Sequence, residues 1–181
     1  MDFLELARER YSCRNFSTKE VEKEKIEKVL EAGRLAPTAR NFQPQRMLVL
    51  TDKKELEKLN NCTQFGWNAP VIIIAFYDKT ASGKRTKYDN KDYGETDTSI
   101  AVTHMILEAQ NLGLGTTWIG SFDPKELTKT YEVPDKLIPI AILALGYPAE
   151  DSKPSDLHFK RNELEQFVYW NKLNVTNKNN A

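Results

Sequence analysis

The sequence predicts an α+β fold in which helices cover both faces of a mixed central sheet of about four strands. Segments with helical and strand periodicity alternate along the chain. Two runs, Val71–Phe76 and Leu137–Leu145, are apolar without alternation, which is typical of strands covered on both faces. The segment Thr98–Leu112 is apolar nearly all round a helix, so we expect it in a core or a subunit interface.

Length and composition narrow the classes of protein. The 181 residues suffice for one domain with a substantial core, which we expect over 1–170, followed by a partly disordered tail over 171–181. Lys plus Arg equal Asp plus Glu at 26 each, which gives no reason to expect nucleic acid or an anionic membrane as a partner. No apolar run approaches the roughly 20 residues that span a bilayer, and the acidic N-terminus is unlike a signal peptide.

Cysteine and histidine are too sparse to predict a metal site. Cys13 and Cys62 are isolated, so neither a disulfide framework nor a zinc site is indicated, and a reducing cytoplasm is the expected compartment. His104 and His158 have no acidic pair at metal-ligand spacing. We expect His104, which lies on the apolar helix, to be a packed, hydrogen-bonded residue.

Caps and periodicity predict the remaining elements. Asp2 and Asp123 are helix caps, and Ser17 or Thr18 begins a helix that ends near Leu35. Polar residues with two glycines predict a long loop over 78–95, either mobile or functional. The other predicted elements are helices over 2–10, 52–59 and 124–131, strands over 47–51 and 116–119, and a final helix that contains Leu164, Phe167 and Val168.

The segment Ala36–Arg46 joins a helix to a strand and contains two prolines. Pro37 and Pro44 favour extended geometry in the residue before each of them, which predicts a fixed, non-helical loop. Between them lie hydrogen-bonding side chains that suit a flat heteroaromatic ring with carbonyl and nitrogen edges. Such groups can equally satisfy their own backbone, and the segment alone leaves both interpretations open. These side chains are Thr38, Asn41 and Gln43.

The segment Arg10–Arg14 has two guanidinium groups and a hydroxyl within five residues. Arginine suits phosphate because its planar fork forms paired, charge-assisted hydrogen bonds. A solvated basic turn is the alternative, since exposed arginine pairs are common.

Four stretches in this order resemble the nitroreductase family. The pattern A-P-[ST]-x-x-N-x-Q-P after the first long helix resembles that family's FMN-binding loop. The matching stretches, which together cover residues 3 to about 170, are Arg10–Phe16, Ala36–Pro44, Gly113–Phe122 and Lys160–Glu165.

The resemblance implies a nitroreductase-like three-layer α/β/α sandwich that forms a homodimer, with FMN at the interface and a fifth strand available from the partner. It places the ribityl phosphate and pyrimidine edge at Arg10, Ser12 and Arg14, and closes the phosphate site with Arg161 or, as second choice, Lys160. One branch of the family has Glu where Gly120 stands, so we expect the backbone there to serve the flavin N5. The remaining residues implied near the flavin are Pro37, Thr38, Asn41, Gln43, Asn61, Gln64, Trp118, Ile119, Gly120 and Ser121. For Asn61, a polar helix end is an equally open interpretation.

The implied activity is a ping-pong oxidation of NAD(P)H by bound FMN with reduction of nitroaromatics, quinones or similar electrophiles. The order helix, glycines, strand around Gly113–Gly115 differs from a Rossmann fingerprint, so NAD(P)H is expected as a visiting substrate. No general acid is evident, and solvent is the expected proton source. Alternatives are relatives with another reaction, such as flavin reductases, reductive dehalogenases or flavin-destroying synthases, a flavin storage module, and a scaffold without cofactor.

Overall fold

The computed structural model describes residues 2–173, which form six α-helices and four β-strands. In chain order these elements are α1 Phe3–Glu9, α2 Lys23–Arg34, β1 Gln45–Leu50, α3 Lys53–Lys58, β2 Val71–Asp78, α4 Gly94–Asn111, β3 Gly115–Ile119, α5 Pro124–Thr130, β4 Leu137–Gly146 and α6 Leu164–Phe167. The predicted tail lies outside the described residues from 174 onward.

The four strands form one sheet in the order β1-β2-β4-β3, which confirms the α+β class. All three strand pairs are antiparallel, so the expectation of a mixed sheet is corrected. Among the described residues, the one parallel pairing is the isolated bridge between Ser12 and Thr116. A continuous apolar run reports that a strand is covered on both faces, but it does not report strand direction.

Helices and loops cover both faces of the central strands, as the sequence predicts. Alternate residues Val71, Ile73 and Ala75 of β2 pack toward α2 and α4. The intervening Ile72, Ile74 and Phe76 pack on the other face, where Leu59 and Leu127 are buried. Each buried valine, isoleucine, leucine or phenylalanine side chain among these contributes about 1.5–3 kcal/mol through the hydrophobic effect.

The predicted caps are confirmed, but α2 begins later than predicted. Asp2 accepts a hydrogen bond from the Leu4 amide, and Asp123 accepts from two amides at the start of α5. The helix expected from Ser17 or Thr18 begins only at Lys23. The amide of Ser17 donates to the carbonyl of Tyr147, and Phe16 bridges Pro148, so this stretch is held extended against the end of β4.

The loop between the two prolines departs from the predicted geometry. Gln43, which precedes Pro44, has a left-handed φ of 51°, although extended geometry was expected. Arg40 and Asn41 are also left-handed, at 49° and 58°, inside a short 3₁₀ turn at Ala39–Asn41. The chain therefore reverses tightly before β1 instead of running extended.

Two further features concern helix length. The final helix, α6, is a single turn at Leu164–Phe167, shorter than its apolar spacing suggests. In the part of the chain that the structure describes, no helix combines the length and apolarity needed to cross a bilayer.

Candidate functional site

Four of the predicted site residues come from distant parts of the chain and line one cavity of about 220 Å³. They are Arg10, Ser12, Arg14 and Arg161. Lys160, the alternative to Arg161, is not among the lining residues. The cavity is completed by Tyr11, Ser155, Leu157 and His158.

The wall that carries Ser12 is built along β3, an edge strand of the sheet. Ser12 bridges Thr116, and the Cys13 amide donates to the Thr116 carbonyl at 2.9 Å. The Thr117 hydroxyl donates to the Cys13 carbonyl. The opposite wall is the 3₁₀ turn Asp156–Phe159 and the residues that follow it. Contacts between segments more than 100 residues apart therefore define this cavity.

Positive charge dominates the cavity. Burial, and then the charge of Arg161, lower the pKa of the Arg10 guanidinium. Arg14 lies over the ring of Trp67, with its guanidinium carbon 5.9 Å from the ring centroid. No acidic residue lines the cavity, and within residues 2–173 none of these three arginines forms a salt bridge. Such a set fits a phosphate dianion, which would relieve the repulsion between the guanidinium groups.

Three polar side chains that line the cavity were not predicted as site residues. Tyr11, Ser155 and His158 contribute polar groups beside the arginines. The His158 ring meets Tyr11 edge-on at 6.5 Å and packs edge-on against Phe159 at 4.9 Å. The sequence holds no local signal for His158, because only the fold brings its 3₁₀ turn against the segment Arg10–Arg14.

The end of β3 exposes its backbone. Ile119 is only 3% exposed, so its side chain belongs to the core. Gly120 is exposed, and a Cβ placed on it would meet only the Trp118 indole nitrogen, at 3.8 Å. The backbone around Gly120 is therefore open to a ligand, as a backbone role requires.

Gln64 lies beside the loop that follows β3. The Thr63 hydroxyl donates to the Ser121 carbonyl at 2.8 Å, which ties the two segments together. Gln64 and Ser121 line a cavity of about 470 Å³. Asn61, which ends the preceding 3₁₀ turn, does not line it. The other lining residues are Cys62, Thr63, Phe65, Phe122, Asp123, Pro124 and Lys125.

The loop between Pro37 and Pro44 satisfies several of its own polar groups. The Thr38 hydroxyl accepts from the Gln43 amide at 3.1 Å, and the Gln43 side chain donates to the Asn41 carbonyl at 3.3 Å. The exposed Asn41 side chain forms no hydrogen bond with any described residue. The Asn41 side chain is thus free to contact a ligand, whereas the Gln43 side chain satisfies its own loop. Both interpretations that the sequence left open therefore have support here.

The proline loop and the arginine cavity lie at opposite edges of the sheet. The loop leads into β1 at one edge, and Ser12 pairs with β3 at the other. With about 4.8 Å between neighbouring strands, the two edges are roughly 14 Å apart. The structure therefore unites the arginines with β3 but does not bring Thr38, Asn41 or Gln43 to them.

Within residues 2–173, the outer face of α4 is uncovered. A groove of about 990 Å³ runs between α1 and α4 and is lined by Phe3, Leu6, Ile100, His104 and Leu107 among others. The segment after residue 156 adds a second apolar surface. Its exposed large side chains are Leu157, Phe159, Leu164, Phe167, Tyr169, Trp170 and Leu173.

Comparisons with known proteins agree on one family. The profile of the nitroreductase family matches residues 7–64 and 57–147. A Methanothermobacter thermautotrophicus protein, provisionally named NADH dehydrogenase/NAD(P)H nitroreductase, is 31% identical over 164 residues, 87% of this chain and 83% of its own. A nitroreductase family protein of Clostridium difficile has 40% identity and a TM-score of 0.89 over 96% of this chain and all of its own. A provisionally named Desulfovibrio desulfuricans nitroreductase, solved in complex with FMN, has 28% identity and a TM-score of 0.75 over 95% of this chain and 98% of its own.

Proposed function

The chain belongs to the nitroreductase family, and on that premise we propose that it is an FMN-dependent NAD(P)H oxidoreductase. It reduces nitroaromatics, quinones or similar electrophiles by a ping-pong mechanism, with one FMN-binding domain over residues 1–170. The observation that carries the proposal is the cavity lined by three arginines and by no described acidic residue. A similar protein solved with FMN supports the choice of anion.

The arginine cavity holds the FMN phosphate. Arg10, Arg14 and Arg161 supply charged donors, and Ser12 supplies a hydroxyl. A hydrogen bond to a charged group contributes about 1.5–3 kcal/mol, so this set accounts for strong retention of a phosphorylated flavin. Arg161 is the better candidate than Lys160, because only Arg161 lines the cavity.

The end of β3 holds the flavin ring. Thr116, which pairs with Ser12, lies four residues before Gly120, a span of about 13 Å along a strand. That span leaves room for the ribityl chain and ring of a flavin whose phosphate lies in the cavity. The Gly120 backbone faces N5, Trp118 and Ile119 contribute backbone beside it, and Gln64 reaches the ring edge from the adjoining segment. When bound, FMN accepts hydride from NAD(P)H and delivers electrons to the acceptor.

The carboxylate nearest in sequence to Gly120 is not suited to donate a proton. Asp123 is the acid that lines the cavity beside Gln64. Hydrogen bonds from the Glu126 and Lys125 amides lower the pKa of Asp123, so it is ionised at neutral pH. We assign the protons to solvent, and the protein supplies position and hydrogen bonds.

A second copy of the chain completes the ring site. Thr38, Asn41 and Gln43 lie at the opposite sheet edge from the arginines, so we assign their ring contacts, with Pro37, to the flavin of the partner subunit. The uncovered groove along α4 and the exposed apolar side chains after residue 156 support such a homodimer. The free, buried Cys13 and Cys62 are compatible with the cytoplasm as the compartment.

The visible spectrum of the purified protein tests the proposal. It is recorded anaerobically, then after NADH or NADPH, and again after a nitroaromatic or a quinone. We expect a flavin spectrum that bleaches with at least one nucleotide and returns with the acceptor. Bound flavin that neither nucleotide bleaches would contradict turnover, and a protein that cannot be reconstituted with FMN would contradict the cofactor.

A further inference from the structure

A carboxylate is buried on α4 beneath the proline loop. Asp97 is 4% exposed, and the neighbours that follow it on the inner face of α4, Ala101 and Val102, are fully buried and apolar. Its Oδ1 accepts a hydrogen bond from the Ala39 amide at 3.0 Å. Its Oδ2 is buried and has no hydrogen-bond partner among the described residues. A buried carboxylate is costly, so a packing role alone would be met better by an apolar side chain.

The single bond from Asp97 holds the start of the tight turn. Ala39 is the first residue of the 3₁₀ turn whose next two residues are left-handed. The opposite side of the turn is closed by the 79–93 loop. A Cβ placed on Gly83 would lie 3.0 Å from the Phe42 ring and 3.3 Å from Ala39. The turn therefore lies between Asp97 on α4 and Gly83 on the 79–93 loop. The side chain of Asp97 is its polar attachment to α4.

The surroundings of Asp97 disfavour the ionised form of its carboxyl group. Burial raises the pKa of Asp97, the hydrogen bond from the Ala39 amide lowers it, and the charge of Asp92 raises it again. The net effect is an upward pKa shift. The Ala39 hydrogen bond thus opposes a desolvation penalty that it does not fully offset.

We propose that Asp97 is a positioning residue that fixes the proline loop for contact with the flavin ring. It acts through the Ala39 amide on Thr38 and Asn41, and it does not touch the flavin itself. The inference rests on the proposed function, because the loop is assigned to the ring only there. It predicts that Asp97 affects binding of the ring and leaves binding of the phosphate unchanged.

Affinities for FMN and for riboflavin separate the two contributions, since riboflavin lacks the phosphate. We expect Asp97→Ala to lower the affinity for both flavins by about tenfold, because a hydrogen bond to a charged group is lost. The ratio of the two affinities should stay unchanged. Asp97→Asn keeps an oxygen acceptor for the Ala39 amide and should stay within about twofold of wild type.

A matched control and a second variant guard against misfolding. Thr98→Ala removes a fully buried hydroxyl from the same helix turn, one that faces the Phe76 carbonyl and not the loop. It should lower the melting temperature without changing either affinity. Ala39→Pro removes the amide donor from the loop side, after a Thr38 that is already extended as a proline requires. It should reproduce the loss seen in Asp97→Ala.

The outcomes are distinguishable. Wild-type affinities in a folded Asp97→Ala or Ala39→Pro protein would overturn this inference alone. Equal losses in Asp97→Ala and Thr98→Ala would also overturn it, because the effect would then be one of stability. A wild-type protein that binds neither flavin would overturn the proposed function, and the inference with it.

Discussion

The arginine cavity at β3 and the proline loop before β1 are both polar, but their hydrogen bonds are arranged differently. In the cavity, Arg10 and Arg161 face each other, and no acidic side chain neutralises them. In the loop, the Thr38 hydroxyl accepts from the Gln43 amide, and the Gln43 side chain donates within the loop. The cavity is thus incomplete without an anion, whereas the loop is largely complete in its own right.

We therefore expect the cavity to determine mainly the affinity for the ligand, and the loop to determine mainly the orientation of the ring. Guanidinium groups without an acidic partner favour a charged ligand strongly, so the cavity should supply most of the binding free energy. A loop whose bonds are internal gains little from a ligand but holds its few free groups in place. We therefore expect substitutions in the cavity to act on FMN specifically, and substitutions in the loop to act on stability and ring binding.

The largest effect is expected from Arg10→Ala. Loss of a partly buried guanidinium should weaken FMN binding by about 10–100-fold, because each charged hydrogen bond contributes about 1.5–3 kcal/mol. Riboflavin, which lacks the phosphate, should bind as it does to wild type. Quenching of flavin fluorescence measures both affinities. An equal loss of riboflavin affinity would show that this cavity does not hold the phosphate.

The neighbours Arg161 and Lys160 provide a matched pair of substitutions. Arg161→Ala should lower the affinity for FMN by about tenfold, whereas Lys160→Ala should change that affinity by less than about twofold, since only Arg161 lines the cavity. The same titration measures both. A larger loss for the lysine variant would reverse the assignment.

A smaller effect is expected from Thr38→Val at the other edge. The substitution leaves the Gln43 amide without its acceptor and should lower the free energy of unfolding by about 0.5–1.5 kcal/mol. Thr38→Ser keeps the hydroxyl and should restore most of that stability in urea unfolding. If the valine variant lost FMN affinity but kept riboflavin affinity, the loop would be part of the phosphate site after all.

The smallest effect concerns acid sensitivity at the base of the loop. The Asp78 amide donates to the Pro44 carbonyl, and hydrogen bonds from Thr80, with Lys136 nearby, lower the pKa of the Asp78 carboxylate to about 2. Because the folded pKa is depressed, its stabilisation is complete above the unfolded pKa near 3.9 and is lost as the pH falls toward 2.

Asp78→Asn should therefore flatten the pH dependence of unfolding in that window. Urea unfolding of wild type and variant between pH 2 and 5 measures this difference. Parallel curves for the two proteins would show that Asp78 carries no acid-sensitive stabilisation.

Local patterns predicted the elements but not their arrangement. The caps at Asp2 and Asp123 and the two buried strands follow from neighbouring residues, and the structure confirms them. The antiparallel order could not be predicted, because apolar runs report burial and not direction. The late start of α2 depends on pairing of Phe16 with Pro148, which only the folded chain brings together.

The same limit applies to the site. Arginines grouped at 10–14 and at 161 were predicted to share one ligand, and they line one cavity, although their role stays a prediction. His158 was not predicted as a site residue, because Tyr11 and Arg10, which lie near it in the fold, are far from it in the sequence. Asp97 was not predicted either, because it lies just before the predicted helix Thr98–Leu112. The Ala39 amide that it binds lies 58 residues away.

The comparison of wild-type affinities for FMN and riboflavin tests the central claim most directly. If the three-arginine cavity holds the phosphate, FMN should bind at least about 100-fold more tightly than riboflavin. Moderate salt should lower this ratio of affinities, because it screens the charges. Equal affinities for the two flavins would contradict the account, because the cavity would then contribute nothing that the ring does not.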